Sequence, residues 1–266
     1  MKMPKIAAHR GCAAGNIPCN TWIAFEAALA CGADIVELDV TRCADGTLFV
    51  FHPGMEPAHL LSQKGICEMT ADEVRGLRYV NMDHCATELG VSLLDDQLER
   101  LKDRCVINID KFFEWPEEIA ACVRRHGMQD QVIIKTKATE DWFRRVECVA
   151  PDLPYLAMTA DRDDFSESLR GRNLRYIGTE ANFARDTAPV AQKAYMDRMH
   201  ALGLIVWYNS IVFDYHAVLA GGHNDDVSVA GHPDDGWGWM LDREVDIIQT
   251  DWPWLLRQYM NQRSLK

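Results

Sequence analysis

Positive charge is scarce in this chain of 266 residues: 28 lysines and arginines stand against 40 acidic residues, a formal balance of −12. Non-specific grip on nucleic acid needs clustered Lys and Arg, so a nucleic-acid partner is not expected. No apolar run approaches the roughly 20 residues that span a bilayer, and the first residues carry no apolar leader; no transmembrane segment is expected, and the cytoplasm is the expected compartment. The nine cysteines contain no Cys-x-x-Cys, and no His-x₃-His occurs. A disulfide scaffold or zinc ribbon is therefore excluded, and reduced, largely buried thiols are expected. There is no fixed-period repeat, low-complexity tract or linker, which points to one domain over 1–266.

What is present is an alternation of short β-like runs with helical patterns, the signature of parallel α/β architecture. Strands are expected at 6–9, 35–40, 48–52, 106–110, 132–136, 155–159, 176–180, 204–209 and 247–251. Helix ends are legible: Asn20 or Thr21 as a cap closed by Gly32, a Thr70/Glu73 capping box, Pro116 opening a helix that Gly127 closes, and Thr139 capping the next. A chain of this length suits an α/β barrel. Nine strand candidates for eight barrel places leave one outside. Residues 219–241 form a long, polar, Gly-rich stretch before the last strand, expected to be a loop over the mouth.

Ionisable residues end these runs: His9-Arg10, Glu37 and Asp39, His52, Asn108 and Asp110, Lys135, Glu180, Asn209 and Asp251. In a β/α barrel the C-terminal strand ends converge on one mouth, where active sites lie. Period-2 alternation puts Glu37 and Asp39 on one strand face, and Asn108 and Asp110 repeat the geometry. Buried like charges need a cation; an oxygen-only ligand set suits one divalent ion, Mg²⁺ or Ca²⁺. An acidic protein that binds an anionic ligand would also need such local positive charge. Asp45-Gly46 reads as a two-residue turn, whose hairpin would set Asp39 opposite His52 as a β-ribbon after the second strand. His9 and His52 are candidate general acid and base; His59, His84, His126 and His200 lack such company, and a substrate role for His223 and His232 stays open. Arg10 is either a phosphate ligand or a structural partner of Glu37 or Asp39. Lys135 is expected to face inward.

The string His9-Arg10-Gly11, Pro18-Cys19-Asn20-Thr21, Ala24-Phe25, Gly32-Ala33-Asp34, Glu37-Leu38-Asp39-Val40, Asp45-Gly46 and Phe51-His52 resembles the glycerophosphodiester phosphodiesterase family. Asn108-Ile109-Asp110-Lys111, Trp207-Tyr208-Asn209 and 247–253 extend the likeness. The resemblance implies a TIM-type (β/α)8 barrel that hydrolyses a small-molecule phosphodiester to a phosphomonoester and an alcohol with a divalent metal. It places the catalytic pair on His9 and His52 and metal ligands on Glu37, Asp39 and Asp110; beside these, Arg10, Lys135 and Trp207 are expected to contact the substrate. Two departures stand out. Cys19 replaces a family Glu, and Lys111 is adjacent to Asp110 rather than two residues on, so Lys135 is expected to take its place at the phosphate. A lyase that stops at a cyclic phosphate and a weakened barrel that only binds phospho-metabolites are the alternatives.

Overall fold

Short buried strand runs alternating with helices build a closed barrel. The computed structural model describes residues 3–214 and 216–265. Ten strands occur in the order β1 (Lys5–Ala8), β2 (Ile35–Arg42), β3 (Leu48–Val50), β4 (Ser92–Leu93), β5 (Val106–Asp110), β6 (Val132–Lys137), β7 (Tyr155–Ala160), β8 (Tyr176–Asn182), β9 (Ile205–Asn209) and β10 (Ile247–Thr250). Eight of them, β1, β2 and β5 to β10, pair parallel and in sequence, and β10 closes on β1. This is a (β/α)8 barrel. The extra candidate is β3, which pairs antiparallel with β2 and β4 as a ribbon outside the barrel.

The helix signals hold. Thr21 Oγ1 accepts from the Ala24 N–H at the start of Trp22–Ala30, and Thr139 Oγ1 caps Glu140–Val149. Thr70 and Glu73 form the reciprocal capping box, and Pro116 opens Pro116–Arg125. Outward-facing Val36, Leu38, Val40, Ile107 and Ile109 join Phe25, Leu98, Ile119 and Val123 in the layer between sheet and helices. Within the barrel, Ala7, Ile35, Ile133, Leu156, Trp207 and Ile247 pack as an apolar plug. Two residues further along the strands the same inward positions become Glu37, Asn108, Lys135, Asn209 and Gln249, all buried. The lumen is therefore oily at one end and charged at the other, because the strands keep their alternation while the residue type changes.

The ribbon departs from expectation by one residue. Val40 pairs with Val50 and Arg42 with Leu48, and Phe51 N–H donates to Asp39 O, so Asp39 faces Phe51 rather than His52. The loop has three residues, not two. Cys43 N–H donates to Thr47 O, Gly46 N–H to Cys43 O, and Gly46 sits at φ +92°, which a three-residue hairpin demands. Asp45 Oδ1 accepts from Cys43 Sγ and from Thr47, and its Oδ2 accepts from Ala71 N–H, which holds the wider turn. Residues 219–241 are also not a loop over the mouth. They fold into Asp225–Val229, a π-turn Asp234–Gly238 and Trp239–Asp242, with Trp237 and Leu241 buried. None of the nine thiols is bridged, but Cys67, Cys85 and Cys148 are exposed rather than buried.

In β8 an extra residue interrupts the register with β7, and Gly178 follows it at φ +149°. A Cβ there would lie 1.9 Å from Ile205 O of β9. Gly178→Ala should therefore destabilise the fold by roughly 3 kcal/mol, read as a lower urea midpoint; an unchanged midpoint would refute the close approach.

Candidate active site

The barrel mouth gathers its polar groups from strand ends far apart in sequence. Register sets Glu37 beside Asn108 and Asp39 beside Asp110 on adjacent strands. Carboxylate oxygens of Glu37, Asp39 and Asp110 consequently lie within 4.8 Å of one another. Glu37 and Asp39 are each only 1% exposed. Glu37 Oε2 accepts the Arg10 N–H at 2.8 Å, and Asp39 Oδ2 accepts from Asn20 Nδ2 at 2.9 Å. Asn20 Oδ1 in return accepts the Asp39 N–H at 3.1 Å. Arg10 Nε lies 3.0 Å from Asp39 Oδ2, an ion pair by distance whose angle makes no hydrogen bond. Asp39 Oδ1 is buried with no donor among the described residues. An orphaned carboxylate oxygen facing two further carboxylates is what a cation ligand looks like without its ion, and the all-oxygen set fits a hard divalent cation.

Electrostatics follow from the crowding. Burial, then Asp39 and Asp110, pushes the Glu37 carboxyl up to about 7 against the pull of His9 and Lys135. Burial would raise Asp110 as well, but Lys135, Lys111 and the Lys111 N–H hold it below its ordinary value.

Both histidines reach a cavity of about 770 Å³ at this mouth, together with Arg10, Cys19, Lys111 and Asp251. His9 Nδ1 lies 2.8 Å from Asp251 Oδ1, and a carboxylate only accepts, so Nδ1 carries the proton. Burial pushes this imidazole down, but the Asp251 bond and the charges of Glu37 and Asp251 outweigh it and the net shift is upward. His52 Nδ1 donates to Pro53 O at 2.9 Å, which leaves Nε2 with a lone pair in the neutral ring. Its pKa is lowered, first by burial and then by Arg10 and Lys111, against the opposing charge of Asp39. The two imidazoles therefore differ: the pKa of one is raised and that of the other lowered.

Asp251 is itself fastened by a residue the sequence did not single out. Its N–H donates to Asp225 Oδ2, while Asp225 Oδ1 accepts from Ser210, Trp237 and Thr250. The 219–241 excursion thus supports the mouth from behind, and none of it lines the cavity among the described residues.

Two expected substrate contacts do not reach the cavity. Lys135 is 3% exposed, paired with Glu180 at 2.6 Å inside the barrel, and Trp207 is buried beneath its ammonium. Lys111 takes the exposed place instead. It leaves β5 at φ +61°, so strand alternation no longer applies, and its Nζ lies 3.7 Å from Asp110 Oδ2 at the cavity wall. His59 and His84, set aside from sequence, also line the cavity, while His223 stacks on Trp239 and bonds Asp186. Burial pushes the Cys19 thiol up to about 11 despite Arg10, so this position adds no charge to the cluster.

The barrel mouth thus sets two imidazoles near a cluster of three carboxylates. A family described as a domain of unknown function matches residues 155–260. The chain is 33% identical over 168 residues to an uncharacterized Bacillus subtilis protein, YqiK, covering 60% of this chain and 68% of that one. It is 33% identical over 144 residues to a glycerophosphodiester phosphodiesterase of Bacillus altitudinis, 50% of this chain and 58% of the relative. A glycerophosphodiester phosphodiesterase structure from Agrobacterium tumefaciens superposes with TM-score 0.69 at 25% identity, over 96% of this chain and 99% of that one. A glycerophosphoryl diester phosphodiesterase from Parabacteroides distasonis has the same fold, with TM-score 0.81 at 16% identity over 98% and 87% of the two chains. By sequence and fold the chain is similar to glycerophosphodiester phosphodiesterases, which are phosphoric diester hydrolases. No helix among the described residues is long and apolar enough to cross a membrane.

The raised Glu37 carboxyl has a consequence for the cation-free protein. A folded value near 7 against an ordinary 4.5 means that stability is full below pH 4.5 and is lost as pH rises through 7. Glu37→Gln should thus stabilise the chelated protein at pH 8 by up to roughly 3 kcal/mol and give no gain near pH 4. Urea unfolding in excess chelator reads this, and a less stable variant at pH 8 would contradict it.

Proposed function

We propose that this chain hydrolyses a glycerophosphodiester to glycerol phosphate and an alcohol, with His52 as base and His9 as acid. The observation that carries the reading is the placement of two differently partnered imidazoles, one on Asp251 and one on a carbonyl, on one cavity beside the carboxylate cluster. Glu37, Asp39 and Asp110 would hold one divalent cation, Mg²⁺ or Ca²⁺. When bound, that ion supplies positive charge where the phosphoryl oxygens gather negative charge.

The chain's own groups do the rest. His52 Nε2 takes the proton of the attacking water as the new O–P bond forms; where the neighbouring glycerol hydroxyl attacks instead, the product is a cyclic phosphate that water then opens. The P–O bond to the alcohol breaks, and His9 Nε2 gives its proton to the departing oxygen. Asp251 holds the His9 ring by Nδ1 and favours its charged form, the role a carboxylate plays behind any catalytic imidazole. Arg10, fixed to Asp39 at one edge, and Lys111 present positive charge to the phosphate. Cys19 leaves the cavity less acidic than the family Glu would, which lessens repulsion of an anionic substrate and weakens cation retention together.

His9→Ala and His52→Ala should each lower turnover by roughly 10²- to 10⁴-fold in an assay of glycerophosphodiesters with Mg²⁺, Ca²⁺ or Mn²⁺, and a chelator should abolish the wild-type rate. Full activity in either variant would sink the pair.

The pH profile has a definite sign. Activity should fall in acid as His52, held below 6.5, gains a proton, and in alkali as His9, held above 6.5, loses one. Asp251→Asn should move the alkaline limb to lower pH and leave the acid limb in place, with kcat reduced by about 10²-fold and KM little changed. A profile identical to the wild type would remove Asp251 from the mechanism.

A further inference from the structure

Outside the barrel, helix Leu94–Leu101 and helix Pro116–Arg125 bring together a second group of metal-competent side chains. Cys122 and His126 lie one helical turn apart, as do Asp95 and Glu99 on the facing helix, so each pair projects from one face. An Asp95 carboxylate oxygen, Cys122 Sγ and a His126 ring nitrogen all lie within 4.8 Å of one another. Three donors converge on the single atom Asp95 Oδ1: His126 Nε2 at 2.8 Å, Cys122 Sγ at 3.6 Å and Arg125 Nη2 at 2.6 Å. Arg125 Nη2 also lies 3.4 Å from Cys122 Sγ. Its guanidinium therefore stands where a cation would bridge the carboxylate and the sulfur. It does so from a side chain that is 59% exposed and free to swing aside.

We propose that Asp95, Cys122 and His126 form a site for a borderline-soft divalent cation of the zinc type. Bond lengths of about 2.0 to 2.3 Å in a tetrahedron separate neighbouring ligand atoms by roughly 3.4 Å. The observed 2.8 and 3.6 Å bracket that value, and all three ligand atoms lie within 4.8 Å of one another. Glu99 Oε2 lies 3.4 Å from His126 Nδ1, the outer ring nitrogen, where a carboxylate fixes the tautomer that leaves Nε2 for the metal. Cys122 is buried and His126 half-buried, which shelters the metal bonds, and the fourth position opens to solvent where Arg125 now reaches. None of these residues lines the barrel mouth. The two clusters sort cations by hardness: three carboxylates favour Mg²⁺ or Ca²⁺, while a thiolate and an imidazole select against both. A bound ion would tie together the helices on either side of β5, the strand that ends in Asp110.

Cobalt(II) tests this independently of phosphodiester turnover, because only a thiolate ligand produces an intense near-ultraviolet charge-transfer band. The protein, with excess Mg²⁺ to fill the oxygen site, should bind one Co²⁺ with that band, and Zn²⁺ should displace it. Cys122→Ser and His126→Asn should abolish the band. Glu99→Gln should weaken Co²⁺ binding by about tenfold, and the surface change Arg125→Ala should tighten it by removing the competing cation. Should Cys122→Ser fail to fold, His126→Asn and Arg125→Ala decide the matter alone. Absence of the band in the wild type, or a band unchanged in Cys122→Ser and His126→Asn and so owed to another thiol, would overturn the site.

Discussion

Three carboxylates cannot share a dry space without something positive between them, and this barrel puts Glu37, Asp39 and Asp110 there by register alone. Much of the mouth can be read as an answer to that repulsion. Arg10 gives its backbone N–H to Glu37 and its guanidinium to Asp39. Asn20 clamps Asp39 from both sides, and Lys111 and Lys135 approach Asp110. One oxygen, Asp39 Oδ1, is still left without a donor among the described residues. A site compensated but not saturated is primed to take a cation, and the stability given up by keeping it so is the ordinary cost of a functional mouth.

The same electrostatics differentiate the histidines. His9 leans on Asp251 and feels Glu37, while His52 has only a carbonyl behind it and two cationic side chains beside it. Identical side chains are shifted in opposite directions because one backs onto a carboxylate and the other onto a dipole. Asp251 is in turn anchored by Asp225, so an excursion from the barrel that never touches the cavity bears on the chemistry within it. The extra segment and the mouth form one hydrogen-bonded unit.

Much of this was legible in the one-dimensional pattern. Strand alternation was enough to align Glu37 with Asp39 and to set them on the inner face, since period 2 is a local property of extended chain. Helix caps were readable for the same reason: Thr21, Thr70 and Thr139 act on N–H groups two or three residues away. Legibility failed where one residue of loop changed everything after it. The third loop residue at Ala44 to Gly46 slid Asp39 from His52 to Phe51, and the left-handed turn at Lys111 carried a lysine to the cavity that alternation had pointed away. Lys135 was rightly read as inward, but inward at that level means buried against Glu180 rather than open to substrate.

The barrel and the carboxylate face were legible in the chain alone, because they rest on short-range periodicity and on residue chemistry. Only the tertiary structure decided which partner stands behind each histidine, which lysine meets the cavity and that Asp225 matters at all. His9 and Asp251 are separated by 242 residues and meet because closing the barrel makes the first and last strands neighbours. Such contacts depend on a closure that no local window of sequence contains.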